Sequence, residues 1–120
     1  DVSVWWLLAL IFYPVIDLIW NIVRRIWVGK SPLEPDNQHL HNLLFALLDS
    51  GPRTSMQANT LTGLAIAFVF SGLPALVVGV FGVGATNAVW FLWVCAQWVI
   101  YVCAWHYLSQ QLCIIEDRAL

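Results

Sequence analysis

The sequence predicts an all-α, polytopic membrane protein fragment with three transmembrane helices and a cytoplasmic loop that contains a short amphipathic helix. Three observations carry this expectation. Of 120 residues, 61% are hydrophobic and 10% charged, far from the balance of an ordinary soluble domain. Apolar runs at residues 4–23, 58–83 and 88–108 each have the ~20 residues needed to cross a hydrocarbon core of ~30 Å. Arg24, Arg25, Lys30 and Arg53 all fall between the first two runs, and Arg118 follows the third, whereas the link at 84–87 is uncharged. By the positive-inside rule, the loop 24–57 and the tail 109–120 are cytoplasmic, and Asp1 and the tip between the second and third spans lie outside.

The first run, VWWLLALIFYPVIDLIWNIV, holds one carboxylate, Asp17. A carboxylate within the bilayer costs roughly 2.5–3.5 kcal/mol on insertion scales, and it faces protein or a watery cavity. Asp17, Asn21 and then Arg24 or Arg25 recur at helical spacing, forming a polar stripe that descends to the cytoplasmic mouth. Pro14 can bend the helix just above it. Asp17 reads either as a packing partner for another helix or as a cavity-lining group.

In the loop, Gly29 can end a helix and Pro32 bars a prompt restart. Asp36 is the expected N-cap of a short helix whose stripe is Leu40, Leu43, Leu44, Leu47 and Leu48, stopped by Gly51-Pro52. On such a helix His39 and His41 flank the apolar stripe from opposite sides; only an extended His-Leu-His segment would bring both imidazoles together. A zinc site is poorly supported, because third and fourth ligands are missing from the loop. Thr54 and Gln57 have capping-box spacing for the start of the second span.

The second span carries Gly63, Ala67, Ser71, Ala75 and Gly79 at four-residue spacing, a small-residue stripe that lets another helix approach closely. Pro74 frees a carbonyl that a neighbouring helix should cover. In the third span, Gln97 and His106 are interhelical hydrogen-bonding groups or cavity-lining ones. Trp5, Trp6, Trp90 and Trp93 fit an outer aromatic belt, and Trp27, Trp105 and Tyr107 an inner one. Cys95, Cys103 and Cys113 show neither CxxC nor Cys/His metal spacing, so they suggest no site.

The chain opens Asp1-Val2-Ser3 and its first run lacks a basic n-region, so it is expected to be a fragment of something longer, not a signal peptide. Net charge is −2 and basic residues are local, which excludes the extended basic surface that nucleic acid requires.

The string PVIDLIWNIVRRIWVGKSPLEPDNQHLHNLL, residues 14–44, resembles the late cytoplasmic loop and preceding helix of the polyprenyl-phosphate N-acetylhexosamine-1-phosphate transferases, glycosyltransferase family 4. Within that superfamily it is most similar to the bacterial undecaprenyl-phosphate N-acetylglucosamine-1-phosphate transferases. The family pattern, P-x-x-D, then R-R, G-x-S-P, P-D-R-x-H-x-H-H and L, is matched by Pro14, Asp17, Arg24, Arg25, Gly29, Ser31, Pro32, Pro35, Asp36, His39, His41 and Leu44. Two positions depart from it. Asn37 stands where an arginine is usual, and Asn42 where a third histidine is usual.

The resemblance implies a C-terminal fragment, residues 1–120, of one integral domain in the bacterial inner membrane. The implied reaction moves a sugar 1-phosphate from a UDP-N-acetylhexosamine to polyprenyl phosphate and releases UMP, with Mg2+ neutralising the diphosphate. Arg24, Arg25, Asp36, His39 and His41 would line the substrate site, and Asp17 and Asn21 would organise it. The family's Asp-Asp motif has no counterpart here; the adjacent pair Glu116-Asp117 does not resemble it. Catalytic aspartates and metal ligands are therefore expected outside these residues, and the fragment alone is expected to be inactive. Its partners would be both substrates, the membrane and upstream helices of the same protein, with room for a homodimer. A noncatalytic three-span packing or adaptor protein is the alternative, and an ion or proton pathway along Asp17, Gln97 and His106 is a third.

Overall fold

A computed structural model describes residues 3–81 and 86–119. Asp1 and the link residues Gly84 and Ala85 lie outside the described residues, as does the Arg118 side chain. The elements are α1 (Val4–Leu10), α2 (Phe12–Trp27), α3 (Leu40–Asp49), α4 (Ser55–Ala67), a π-helical turn (Phe68–Gly72), α5 (Leu73–Phe81) and α6 (Asn87–Ala119), with no strand among the described residues. Two helices, Ser55–Val80 and Asn87–Asp117, are long and apolar enough to cross a membrane. Among the described residues, the bent pair α1 and α2 makes a third span if it counts as one.

The expected first span, 4–23, is broken near Pro14, where the sequence allowed a bend. The chain turns by 75° between α1 and α2, at Ile11. Pro14 has no N–H for the carbonyl of Leu10, four residues earlier, so the helix loses a bond there. Ser71 Oγ supplies the missing donor to Leu10 O at 2.8 Å, and Gln97 Nε2 donates to Ala9 O at 3.1 Å. The second proline is treated alike. Pro74 frees the carbonyl of Phe70, and Gln97 Nε2 covers it at 2.7 Å, as the sequence led us to expect of a neighbouring helix. Gln97 is therefore an interhelical tie, and the π-helical turn sits where Pro74 disrupts the regular ladder.

Other boundaries follow local chemistry. Gly29, at φ 71°, ends α2 in a Schellman arrangement, with Lys30 N–H on Arg25 O at 2.9 Å and Gly29 N–H on Ile26 O at 3.1 Å. Thr54 and Gln57 form the predicted capping box at the start of α4. The third apolar run is longer than expected. Helix α6 has 33 residues, ~50 Å at 1.5 Å per residue, and absorbs most of the predicted tail.

The core gathers Phe12, Ile16, Leu40, Leu43, Phe70, Tyr101 and Leu108 from α2, α3, the π-helical turn and α6. Leu44 and Leu47 pack against it, so the leucine face of α3 is turned into the helix bundle. Trp5 meets Phe91 edge-on at 4.9 Å, which ties the start of α1 to the start of α6. Trp90 is fully buried, not an anchor at a lipid surface. Of the small-residue stripe, Ser71 is used on Leu10, whereas Gly63, Ala67, Ala75 and Gly79 are exposed.

Candidate functional site

On α2, the positions Tyr13, Asp17, Asn21 and Arg24 face the loop 28–39 and α6. Asp17 is buried, and three groups meet its carboxylate. Tyr101 OH donates to Oδ1 at 2.7 Å, Leu40 N–H donates to Oδ1 at 3.1 Å, and His39 Nδ1 lies 2.6 Å from Oδ2. These three hydrogen-bond partners are what makes burial of so polar a group tolerable. Asn21 Nδ2 donates to the Asp17 backbone carbonyl at 2.6 Å, and Arg24 donates to Asn21 Oδ1 at 3.3 Å. Asp17 thus organises His39 and the start of α3 directly, and reaches the arginines only through Asn21.

The histidines differ from the helical expectation. Helix α3 begins at Leu40, and its N-cap is His39, in extended backbone (φ −64°, ψ 145°), not Asp36. The physical reason is long-range: the Asp17 carboxylate caps Leu40 N–H, whereas Asp36 Oδ1 is spent on Gln38 N–H at 3.0 Å and its Oδ2 on Arg24. With His39 extended, the two imidazoles lie side by side, ring centroids 5.6 Å apart and planes 27° from parallel. His41 is held from α2 as well. Its Nδ1 is 2.9 Å from Tyr13 OH, and its backbone N–H donates to the same oxygen at 3.3 Å.

Both arginines fasten the loop. Arg24 pairs with Asp36 and lies beside the Trp105 ring, 5.6 Å from its centroid. Arg25 is buried, donates to the Glu34 carbonyl and carboxylate, and reaches Asp36 at 3.8 Å. Burial pushes the Asp36 carboxyl up, but the Gln38 N–H and the Arg24 guanidinium outweigh it and hold the group below the usual carboxylate range. Trp105 Nε1 donates to Gln38 O at 2.8 Å, so α6 also holds the loop. A cavity of about 380 Å3 opens against this cluster, and Asn21, Arg25, Asp36, Asn37 and His39 are among its lining residues.

The residues singled out in the sequence, Asp17, Asn21, Arg24, Arg25, Asp36, His39 and His41, therefore form one connected cluster. Sequence reasoning missed Tyr13, Glu34, Tyr101 and Trp105. Tyr13 stands four residues before Asp17 and extends its stripe; Gln97, Tyr101 and Trp105 recur at the same spacing on α6, a signal that was legible. The pathway along Asp17, Gln97 and His106 is not assembled: Gln97 is spent on two carbonyls and His106 Nε2 lies 2.9 Å from Gln110.

No group of three or more His, Cys, Asp or Glu side chains is arranged to hold a metal ion among the described residues. Asp17 and Asp36 are committed to donors, so this donor set does not fit Mg2+, and no step below runs through one.

The chain is similar to known polyprenyl-phosphate GlcNAc-1-phosphate transferases over part of its length. It is 46% identical over 39 residues to the decaprenyl-phosphate N-acetylglucosaminephosphotransferase of Mycobacterium leprae, covering 32% of this chain and 10% of that protein. It is 33% identical over 78 residues to the Mycolicibacterium smegmatis protein of the same name, covering 60% and 19%. With the undecaprenyl-phosphate alpha-N-acetylglucosaminyl 1-phosphate transferase of Escherichia coli K12 the figures are 36% over 70 residues, covering 58% and 17%. The matched part thus spans between 10% and 19% of the length of these relatives. No protein-family model matches the chain, and no solved structure matches it.

Proposed function

We propose that this chain is part of a membrane glycosyl-1-phosphate transferase that moves a sugar 1-phosphate from a UDP-N-acetylhexosamine to polyprenyl phosphate and releases UMP. The observation that carries the reading is the convergence of Asp17, Asn21, Arg24, Asp36 and His39 into one hydrogen-bonded network, with His41 stacked on His39, beside a cavity that Asn21, Asp36 and His39 help to line. Phosphoryl transfer depends chiefly on positioning and electrostatics, and a wall fixed by buried bonds suits the first of these. Arg24, His39 and His41 would meet the substrates, while Arg25, buried on Glu34 and Asp36, would support the loop. Mg2+ would be held by residues outside this chain.

In this reading α1 and α2 together make one broken span, α4 through α5 the second and α6 the third. The loop and the end of α6 face the cytoplasm of a bacterium across its inner membrane. Upstream helices of the same protein would cover the exposed faces.

The test is UMP release and lipid-linked sugar formation by membranes containing the complete protein, supplied with UDP-N-acetylglucosamine and undecaprenyl phosphate. Transfer by the wild type, and loss of at least tenfold in His39→Ala and Arg25→Ala with normal membrane insertion, is the expected result. Absence of transfer by the intact wild type would favour a noncatalytic packing or adaptor protein.

A further inference from the structure

Two cavities meet the stacked histidines, and they differ in kind. His39 helps to line the one of about 380 Å3 described above, whose lining includes two carboxylates, Glu34 and Asp36, each paired with an arginine. His41 helps to line a second, of about 340 Å3, between α3 and the start of α4. Asn42, Phe45, Ser55, Asn59 and Thr62 are among its other walls, and no carboxylate is. The Thr54 side chain caps the Gln57 N–H, whereas those of Ser55 and Met56, also in the first turn of α4, have no carbonyl partner within the helix. Both residues line this cavity, which therefore lies at the positive end of the helix dipole. Arg53, just before that end, makes no ion pair among the described residues, and it lines an adjoining cavity that shares Met56 with this one. The second cavity is thus the one suited to an anion.

Along α4, Ser55, Asn59 and Thr62 are followed at the same alternating spacing by Ile66 and Val69, so the five share one helix face. Ile66 and Val69 line a groove of about 250 Å3, with Leu40 and Leu44 of α3 and Ile100 and Ala104 of α6 among its other walls. No charged or amide side chain lines it. From Ser55 to Val69 is about 20 Å of helix, and in the transferase reading Ser55 stands at the cytoplasmic end. One face therefore passes from polar groups at the interface to hydrocarbon walls within the bilayer. An amphiphile with an anionic head and a single chain has the same profile.

We infer, on the premise of the transferase reading above, that this face of α4 holds the lipid acceptor, with its phosphate in the cavity of Ser55 and Asn59 and the first units of its chain in the groove of Ile66, Val69 and Ala104. A single groove takes a single chain, so a polyprenyl phosphate fits it, whereas a glycerophospholipid leaves its second chain outside. The cavity that His39 lines is left to the other substrate, and the two reach the stacked imidazoles from separate cavities. Such an arrangement lets both be held at once, as a transfer between them requires.

The test is photocrosslinking and steady-state kinetics of the complete protein in membranes. Ala65 is an exposed residue that lines the groove. With Ala65 replaced by p-benzoylphenylalanine, irradiation with radiolabelled undecaprenyl phosphate is expected to give a prenyl adduct that excess unlabelled acceptor suppresses. Ala65→Phe and Ala104→Phe, which fill the groove, should each raise KM for undecaprenyl phosphate severalfold and leave KM for UDP-N-acetylglucosamine unchanged. Should Ala104→Phe fail to fold, the more exposed Ala65→Phe carries the comparison. Ser55→Ala combined with Asn59→Leu should give the same split, the mark of lost acceptor binding. An adduct formed only with glycerophospholipid, no adduct, or an unaltered acceptor KM in the filled-groove variants overturns the inference. Absence of transfer by the wild type defeats the transferase reading instead, and the adduct still decides whether a prenyl phosphate occupies the groove.

Discussion

The hydroxyl of Tyr101, a fully buried residue of α6, donates to the Asp17 carboxylate of α2 at 2.7 Å across 84 positions of sequence. The same carboxylate holds His39 and the first N–H of α3, so one anion joins three elements. Asp17→Ala takes the partner from all three groups, two of them buried, and should cost about 3 kcal/mol. Tyr101→Phe removes one bond and should cost about 1 kcal/mol. Thermal unfolding of the purified protein in detergent checks the ranking; equal losses would show that the Tyr101 hydroxyl alone carries what the Asp17 carboxylate contributes.

The carbonyls covered at the two proline breaks give a second expectation. Gln97 covers Ala9 O and Phe70 O, and Ser71 covers Leu10 O. Interhelical hydrogen bonds in membrane proteins average about 0.6 kcal/mol and reach about 1.7. Gln97→Leu should therefore destabilise by about 1 to 2 kcal/mol, and Ser71→Ala by about half as much. Denaturant-induced unfolding of the two variants measures this. A neutral Gln97→Leu would mean that water replaces the amide at the break.

A third concerns acid. The Asp36 carboxyl sits below its usual range in the folded protein, so the stability it contributes is complete above that range and drains away as pH falls through the folded value. The unfolding midpoint of the wild type should drop more steeply in acid than that of Asp36→Asn. The variant should be the less stable of the two at neutral pH, since its Arg24 loses a charged partner. Parallel curves for the two proteins would remove Asp36 from the acid response.

What the sequence disclosed and what it hid divide by range. The Gly29 stop, the Thr54–Gln57 capping box and the need to cover the carbonyl that Pro74 frees were legible, because each is written within a few residues. The break at Ile11 was not. Pro14 announced a bend, but its place and its 75° depth depend on Ser71 and Gln97, donors far along the chain. The histidine pair failed for a like reason: local rules favoured Asp36 as N-cap, and the carboxylate that caps Leu40 lies on another helix. The membership of the site, by contrast, was largely readable from the stripe on α2 and the motif after it. Its tyrosines escaped notice because they stand inside apolar runs.

The cap on Leu40 also bears on the order in which the protein assembles. A helix of 10 residues is marginal alone, and α3 has no local side-chain cap to start it. It gains its cap from α2, already synthesised, and most of its packing from α4 and α6, which emerge later from the ribosome. The His-Leu-His segment therefore takes its final shape only after α6 has docked, so that a chain terminated before α6 carries the whole motif without the geometry that gives it meaning.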